Sequence, residues 1–545
     1  MSQNTSPKSR WIFAAVLAFS LFAFAHGIRY FSQQSLTVPI VFDEAYNLEI
    51  PWHLAREGIY GTHQAPAPGE TSYRQYILNP YITTGPSVLY PIAWGYELFG
   101  GSLAGVARRI VLLFAILGAL SFPIFLYERV RRVWILVPAT WVSLLILNAG
   151  DWPGTALRIL GEGPGVCFFL LAVFCADAGI RRKNTLLILG AGVLAGLSVH
   201  AKLLFLLPWG GVGLWLIAGF FRKEKPRWGI SEIGVFVAGF LGCLIAWEIL
   251  QVSILGGWDG YVAYKKGYVD FFLNVSGGPL PRSEVGGDEW RKACSRNWKT
   301  VVGMFRKDKR VLVLTAIGIL AVIWKVLPAR VTKRSDDSRN LDPWVALLIA
   351  SALYFAWFIF SSGLGWPRHI VPATALLSIG AVGALLELLA LRFPRMESKP
   401  LVVAFAIGCL AIAVVRLTKP PHWGLVGQYQ AQQAIAKLEA EKHPIWIVQT
   451  DSTFDPALYL FAETNVMPAL AVRKDGSPSV CDMELRKGEY YAIITENREL
   501  SDSPFWRCVD SPKVDVFTID IEVCPANKLR CESRTASQSK QFSSH

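Results

Sequence analysis

Ile110-Val-Leu-Leu-Phe-Ala-Ile-Leu-Gly-Ala-Leu-Ser-Phe-Pro-Ile-Phe-Leu-Tyr127 is a continuous apolar run that ends against Glu128-Arg-Val-Arg-Arg132. About 20 mostly apolar residues cross the hydrocarbon core of a bilayer as a helix, and Lys and Arg are retained on the cytoplasmic side. The run therefore reads as a membrane span whose C-terminal end is inside. Its neighbours repeat the pattern.

Carried along the chain, the same criteria give about eleven spans. They run over Trp11–Tyr30, Ile110–Tyr127, Val133–Asn148, Gly163–Ile180, Thr185–Val199, Leu203–Phe221, Gly229–Leu250, Val311–Leu327, Pro343–Ser361, Ile370–Leu391 and Leu401–Val415. The first keeps Phe and Tyr throughout and has no small-residue cleavage site before Phe31, so it reads as an anchor rather than a cleaved leader. Basic clusters alternate between loops: Lys8 and Arg10; Arg129, Arg131 and Arg132; Arg181 to Lys183; Arg222 to Arg227; Arg330 to Arg339; Arg392 to Lys399. That puts the N-terminus inside and the C-terminus outside. One outer loop, Gln251–Arg310, is basic against the rule, which long loops obey weakly.

Composition agrees with this reading. At 545 residues, 52% hydrophobic and mean hydropathy +0.36, the chain is too apolar for a soluble protein. The formal net charge of +13 lies mostly at membrane edges, where anionic lipid headgroups rather than nucleic acid are the expected partner.

The expected fold is thus mostly α, a polytopic transmembrane bundle over residues 1–415 with outer loops at 31–109 and 251–310. Within the first loop, Val88–Phe99 is too short to span and is interrupted by Pro91 and Gly95, so it reads as an interfacial helix. The second loop is rich in aromatics around Trp258, Tyr261, Tyr264 and Tyr268. Residues 416–532 read as a small exported α/β domain, with an amphipathic helix over Leu425–Lys442 and strands over Ile445–Gln449, Tyr490–Thr495 and Val514–Val523. The Ser-rich end, Ser533–His545, reads as disordered.

Cys167, Cys175, Cys243 and Cys409 fall in spans, as small apolar residues do, and Cys294 falls in the second loop. Cys481, Cys508, Cys524 and Cys531 share the exported tail, where an oxidising compartment allows three pairings; Cys481 with Cys508 and Cys524 with Cys531 is the preferred one. No Walker loop and no Cys-x-x-Cys or His-Glu-x-x-His zinc spacing is present in the sequence. Gly192 and Gly196 read as helix packing.

Chemistry is expected of polar residues at the outer ends of spans, where charge beside hydrocarbon is costly. Asp43-Glu44 opens the first outer loop and reads either as functional or as a solvated pair. Glu162, in Leu160-Gly-Glu-Gly-Pro-Gly, is explained almost as well by a favourable helix N-terminus. His200 and Lys202 occupy a tight outer turn, where Lys breaks the positive-inside pattern; a phosphate headgroup or snorkelling explains the lysine. Arg368-His369 precedes a span, and Arg can hold a phosphate through two parallel bonds. Carboxylates and cations converging on one face fit transfer of a group from a phosphate leaving group, the carboxylate activating a hydroxyl and the cations stabilising the departing charge.

Several segments, taken together, resemble the GT-C membrane glycosyltransferases, in particular the bacterial branch related to protein O-mannosyltransferases and lipid A aminoarabinose transferases. They are Asp43-Glu-Ala-Tyr-Asn-Leu, Leu54-Ala-Arg-Glu-Gly-Ile-Tyr-Gly, Thr84-Gly-Pro-Ser-Val-Leu-Tyr-Pro, Glu97-Leu-Phe-Gly, Ala107-Arg108, Leu160-Gly-Glu-Gly-Pro, Ala195-Gly-Leu-Ser-Val-His-Ala-Lys and Arg368-His-Ile-Val-Pro. The resemblance implies a polyprenyl-phosphate sugar donor and transfer to a glycan, lipid or protein hydroxyl on the periplasmic face of the bacterial inner membrane. Carried over by position, it makes Asp43 the catalytic carboxylate with Glu44 beside it. Lys202, Arg368 and His369 are inferred as donor-phosphate ligands from their charge and placement, with Glu162 and Arg108 as candidate contacts to substrate or metal. Some members of the superfamily bind a divalent metal at such acidic residues and others do not. Where many relatives have Lys-Pro-Pro, this chain has Thr84-Gly-Pro86, so a lysine contact to the donor phosphate is missing or replaced. The alternative is a transporter or flippase of a lipid-linked sugar, which would commonly show an internal repeat that this sequence lacks. A third reading is a non-catalytic scaffold whose exported domain binds a partner.

Overall fold

The computed structural model describes residues 42–64, 74–80, 82–100, 103–147, 158–220, 228–274, 287–307, 343–363 and 365–392, strand segments within 445–519, and isolated positions at 11–29, 155 and 309–320. The chain divides into two compact units, Met1–Leu36 with Leu78–Pro421, and Thr37–Ile77 with His422–His545.

The second unit begins with helix α1 (Phe42–Glu57) and the antiparallel hairpin β1 (Gly61–Gln64) and β2 (Arg74–Ile77). The helices of the first unit are α2 (Pro86–Phe99), α3 (Leu103–Val130), α4 (Leu136–Leu147), α5 (Glu162–Arg182), α6 (Thr185–Ala201), α7 (Leu206–Phe220), α8 (Ile230–Ile254), α9 (Trp258–Asn274), α10 (Gly287–Lys307), α11 (Pro343–Ser361) and α12 (Val371–Arg392). The second unit resumes with β3 (Ile445–Gln449), β4 (Val466–Pro468), β5 (Tyr490–Thr495), β6 (Arg507–Cys508) and β7 (Asp515–Ile519). These five form one sheet in the order β4-β3-β5-β7-β6, parallel on the β4-β3-β5 side and antiparallel on the other.

Five helical stretches among the described residues are long and apolar enough to cross a membrane: Leu103–Val130, Glu162–Arg182, Ile230–Ile254, Pro343–Ser361 and Pro367–Ala390. Two shorter apolar ones, Thr185–Ala201 and Leu203–Ile217, fall where spans are expected, and so does α4. The expected spans Trp11–Tyr30 and Val311–Leu327 are described only at scattered positions. Leu401–Val415, the Leu425–Lys442 helix, the Ser533–His545 tail and the cysteine pairing of the tail lie outside the described residues or side chains.

Three local readings change. Pro91 and Gly95 do not interrupt α2: proline removes one backbone hydrogen bond, and the apolar side of the helix still packs on α3 and α6. The segment expected as a second outer loop carries, among its described residues, the two helices α9 and α10, and α8 runs on to Ile254 before them. Asp515–Ile519 is the described part of the expected third strand, and β4 and β6 have no counterpart among the expected strands.

Close main-chain approach organises the bundle. A Cβ at Gly192 would collide with the Phe236 carbonyl and one at Gly239 with that of Leu189, so α6 and α8 touch backbone to backbone. Phe125 stacks on Phe174 at 4.1 Å, and Trp344 sits edge-on to Phe122 at 5.7 Å, joining α3, α5 and α11. Lys183 closes α5 in the left-handed conformation, and the Asn184 side chain caps α6 by accepting from the Leu187 N–H at 3.1 Å.

Candidate functional site

In the first unit, three segments far apart in sequence meet where α6 ends. Lys202 leaves α6 in extended conformation, and its backbone pairs with Thr84 as an isolated antiparallel bridge. The Gly85 N–H donates to the Ala201 carbonyl at 3.3 Å, and the Ser87 hydroxyl donates to the Leu197 carbonyl at 2.9 Å. Gly85 is required, because a Cβ there would overlap the His200 carbonyl; Gly161 is required for the same reason against the Ala201 carbonyl. The motifs Thr84-Gly-Pro and Leu160-Gly-Glu thus carry glycines so that two chains can lie against one turn.

The crossing delivers a buried ion pair. Glu162 opens α5 and is 0% exposed, and Lys202 is 6% exposed. The Lys202 Nζ stands 3.2 Å from Glu162 Oε1 and donates to the Thr83 hydroxyl at 3.1 Å. The N-terminal dipole of α5 adds to the stabilisation of the carboxylate.

Arg368 and His369 lie on the 3-10 turn Pro367–Ile370 that leads into α12. The Arg368 guanidinium sits 4.3 Å over the Trp366 ring, and buried His369 lies near the rings of Trp366 and Trp357. Lys202, Arg368, His369 and Tyr354 are all within electrostatic reach of Glu162. Sequence reasoning missed Tyr354, which is wholly buried in the apolar helix α11 and betrayed only by its hydroxyl.

This cluster is polar and incompletely satisfied. Both Glu162 oxygens, the Tyr354 hydroxyl and the His369 Nδ1 are buried without an aligned hydrogen-bond partner among the described residues. Each such group costs about 1–3 kcal/mol, so several in one place mark a position where a ligand or ordered water completes the bonding. An ammonium, a guanidinium and an imidazole within reach of one carboxylate are groups that can take up an anion together, and the Glu162 carboxylate holds the Lys202 side chain in place.

Asp43 and Glu44 lie in the second unit, on the first turn of α1. Glu44 is 0% exposed, and Asn47, Glu49 and His53 are buried on the same helix, while Asp43 is partly exposed. His53 Nδ1 lies 2.8 Å from Glu57 Oε2, and Arg56 lies 4.7 Å over the Trp52 ring. Burial, with Glu49 adding to it, pushes the Tyr46 phenol above its ordinary value, so it stays neutral at physiological pH. Glu49 and His53 were not singled out in the sequence. Arg108 is buried in α3 of the first unit. Among the described residues no group of three or more His, Cys, Asp or Glu side chains is placed to hold a metal ion.

No family model matches the chain, and no curated protein matches it by sequence. Solved structures match it by fold. ArnT from Cupriavidus metallidurans in the apo state superimposes with a TM-score of 0.58 at 15% identity, covering 96% of this chain and 100% of that one. The same protein bound to undecaprenyl phosphate gives 0.56 at 15% identity, covering 94% and 98%. The Archaeoglobus fulgidus oligosaccharyltransferase in its apo form gives 0.50 at 11% identity, covering 88% of this chain and 69% of that one. The chain is a multi-pass membrane protein that shares its fold with these solved structures.

Proposed function

We propose that this protein is a membrane glycosyltransferase that moves a sugar from a polyprenyl-phosphate donor to an acceptor hydroxyl on the periplasmic face of the bacterial inner membrane. The observation that carries the reading is the buried Glu162–Lys202 pair, with its unsatisfied polar atoms and with Arg368 and His369 in electrostatic reach. Its setting supports the reading further, since a protein of this fold has been solved with undecaprenyl phosphate bound.

In the proposed reaction the acceptor oxygen attacks the anomeric carbon and its proton passes to the Asp43 carboxylate, with Glu44 beside it. The bond from that carbon to the phosphate oxygen breaks, and polyprenyl phosphate leaves with one more negative charge. Lys202 and Arg368 stabilise that charge as it forms, which is where fixed cations in a water-poor site act most strongly. Lys202 also answers the missing lysine of the Lys-Pro-Pro motif. It is supplied from another segment, but it docks by backbone and side chain on Thr83 and Thr84, the place where the motif would have put it.

Asp43→Asn should lower transfer by about 10²–10⁴-fold, the usual range for a lost general base, with undecaprenyl phosphate affinity kept. Lys202→Ala and Arg368→Ala should weaken that affinity. Full transfer by Asp43→Asn would remove the base, and unchanged affinity in both cation variants would remove the phosphate site. Reconstituted vesicles that move a labelled polyprenyl-phosphate sugar without forming product would identify a transporter instead.

A further inference from the structure

Helix α10 lies in the basic outer loop that no part of the proposed reaction uses. Arg291, Lys292 and Lys299 are exposed on it, while Ala293, Asn297 and Val301 are buried at four-residue spacing against α11 and the Pro367–Ile370 turn. Asn297 is the polar member of that buried row and is 0% exposed. Its amide donates to the Phe358 carbonyl at 2.9 Å and to the Ser362 carbonyl at 2.8 Å. The first of these belongs to the last turn of α11, where carbonyls have no partner within the helix. Asn297 caps another helix from outside.

Beyond that cap the chain approaches Arg368. The neighbouring Arg296 donates to the Gly363 carbonyl. The Gly365 N–H donates to the Ser362 hydroxyl at 3.3 Å. Gly365 itself has φ +62, and a Cβ there would overlap Asn297 Oδ1, so the segment passes directly over the asparagine. The next residue, Trp366, carries the ring under Arg368, and its carbonyl accepts from the His369 N–H at 3.0 Å. A short chain of fixed contacts therefore runs from Asn297 to both Arg368 and His369.

We propose that Asn297 is a positioning residue for donor-phosphate binding: by capping Phe358 and Ser362 and seating Gly365, it sets where Arg368 and His369 stand. This rests on the phosphate role proposed for Arg368. Mutating the partners that orient a metal's ligands costs about 10–100-fold in affinity, and a loss at the lower end of that range is expected for this phosphate site.

The test measures undecaprenyl phosphate binding to the full-length protein in detergent for Asn297→Ala, Arg368→Ala and the double variant, with the melting temperature of each. Asn297→Ala should weaken binding by about tenfold, and in the Arg368→Ala background it should add less than about twofold, the non-additivity expected of residues acting through one another. An equal loss in both backgrounds would mean a general structural effect and would overturn the proposal. So would unchanged affinity in folded Asn297→Ala while Arg368→Ala binds weakly. If Arg368→Ala also binds normally, the phosphate site itself falls and this inference with it. Should Asn297→Ala fail to fold, Gly365→Ala reads the same contact from the other side, and unchanged affinity there is equally decisive against it.

Discussion

Helix α5 carries a buried ionic cluster at each end, and the two are built differently. At its C-terminal end Asp177 takes Arg129 at 2.8 Å and Arg181 at 2.7 Å. Glu387 of α12 accepts from Nε and Nη2 of Arg129 and from the indole N–H of Trp344, while Glu128 is held by Arg181 and by Arg182 at 3.0 Å. Every carboxylate there is saturated by directed bonds. At the N-terminal end Glu162 faces Lys202 at 3.2 Å with neither oxygen in an aligned hydrogen bond. Saturation is what a fastening between helices needs, since a buried charge is tolerated only with its bonding complete. An incomplete cluster persists at a cost, and the proposed phosphate would complete it.

The contrast can be broken in three places. Arg129→Ala takes the shared guanidinium away from both Asp177 and Glu387 and should destabilise the protein by about 3–5 kcal/mol, seen as a lower melting temperature in detergent, while the folded fraction binds undecaprenyl phosphate normally. Weakened binding in that fraction would couple the two ends and end the distinction. The double change Glu162→Gln with Lys202→Met removes a buried pair together, so stability should stay within about 1 kcal/mol of the wild type although phosphate binding is lost. A melt as depressed as that of Arg129→Ala would place this end among the fastenings. Arg131→Ala removes a 66% exposed partner 3.5 Å from Glu128 and should shift stability by no more than about 0.5 kcal/mol. A larger shift would show that the saturated cluster depends on its exposed edge.

Much of this was legible along the chain. Pro343–Ser361 is a helix over the residues that hydropathy marked, and Glu162 and Lys202 stand at helix ends, where the sequence left a functional and a structural reading open. What stayed hidden was partnership. Glu387 and Asp177 are 210 residues apart and share one arginine, a pairing that no local pattern encodes. Tyr354 and Asn297 are single polar residues on otherwise apolar faces, where spacing reports burial but not what the polar atom meets. Helix α10 could have been found, since Trp290, Ala293, Asn297 and Val301 repeat with helical spacing; its low hydropathy hides it from any criterion built to detect spans.

The glycines at 85 and 161 have one more consequence. Because they allow three main chains to touch at the exit of α6, no side chain acts as a cushion between the segments that place Lys202. A displacement of any one of these chains is passed rigidly to the other two. Such a site cannot be retuned a residue at a time: it is either assembled, with ammonium and carboxylate in register, or it is lost.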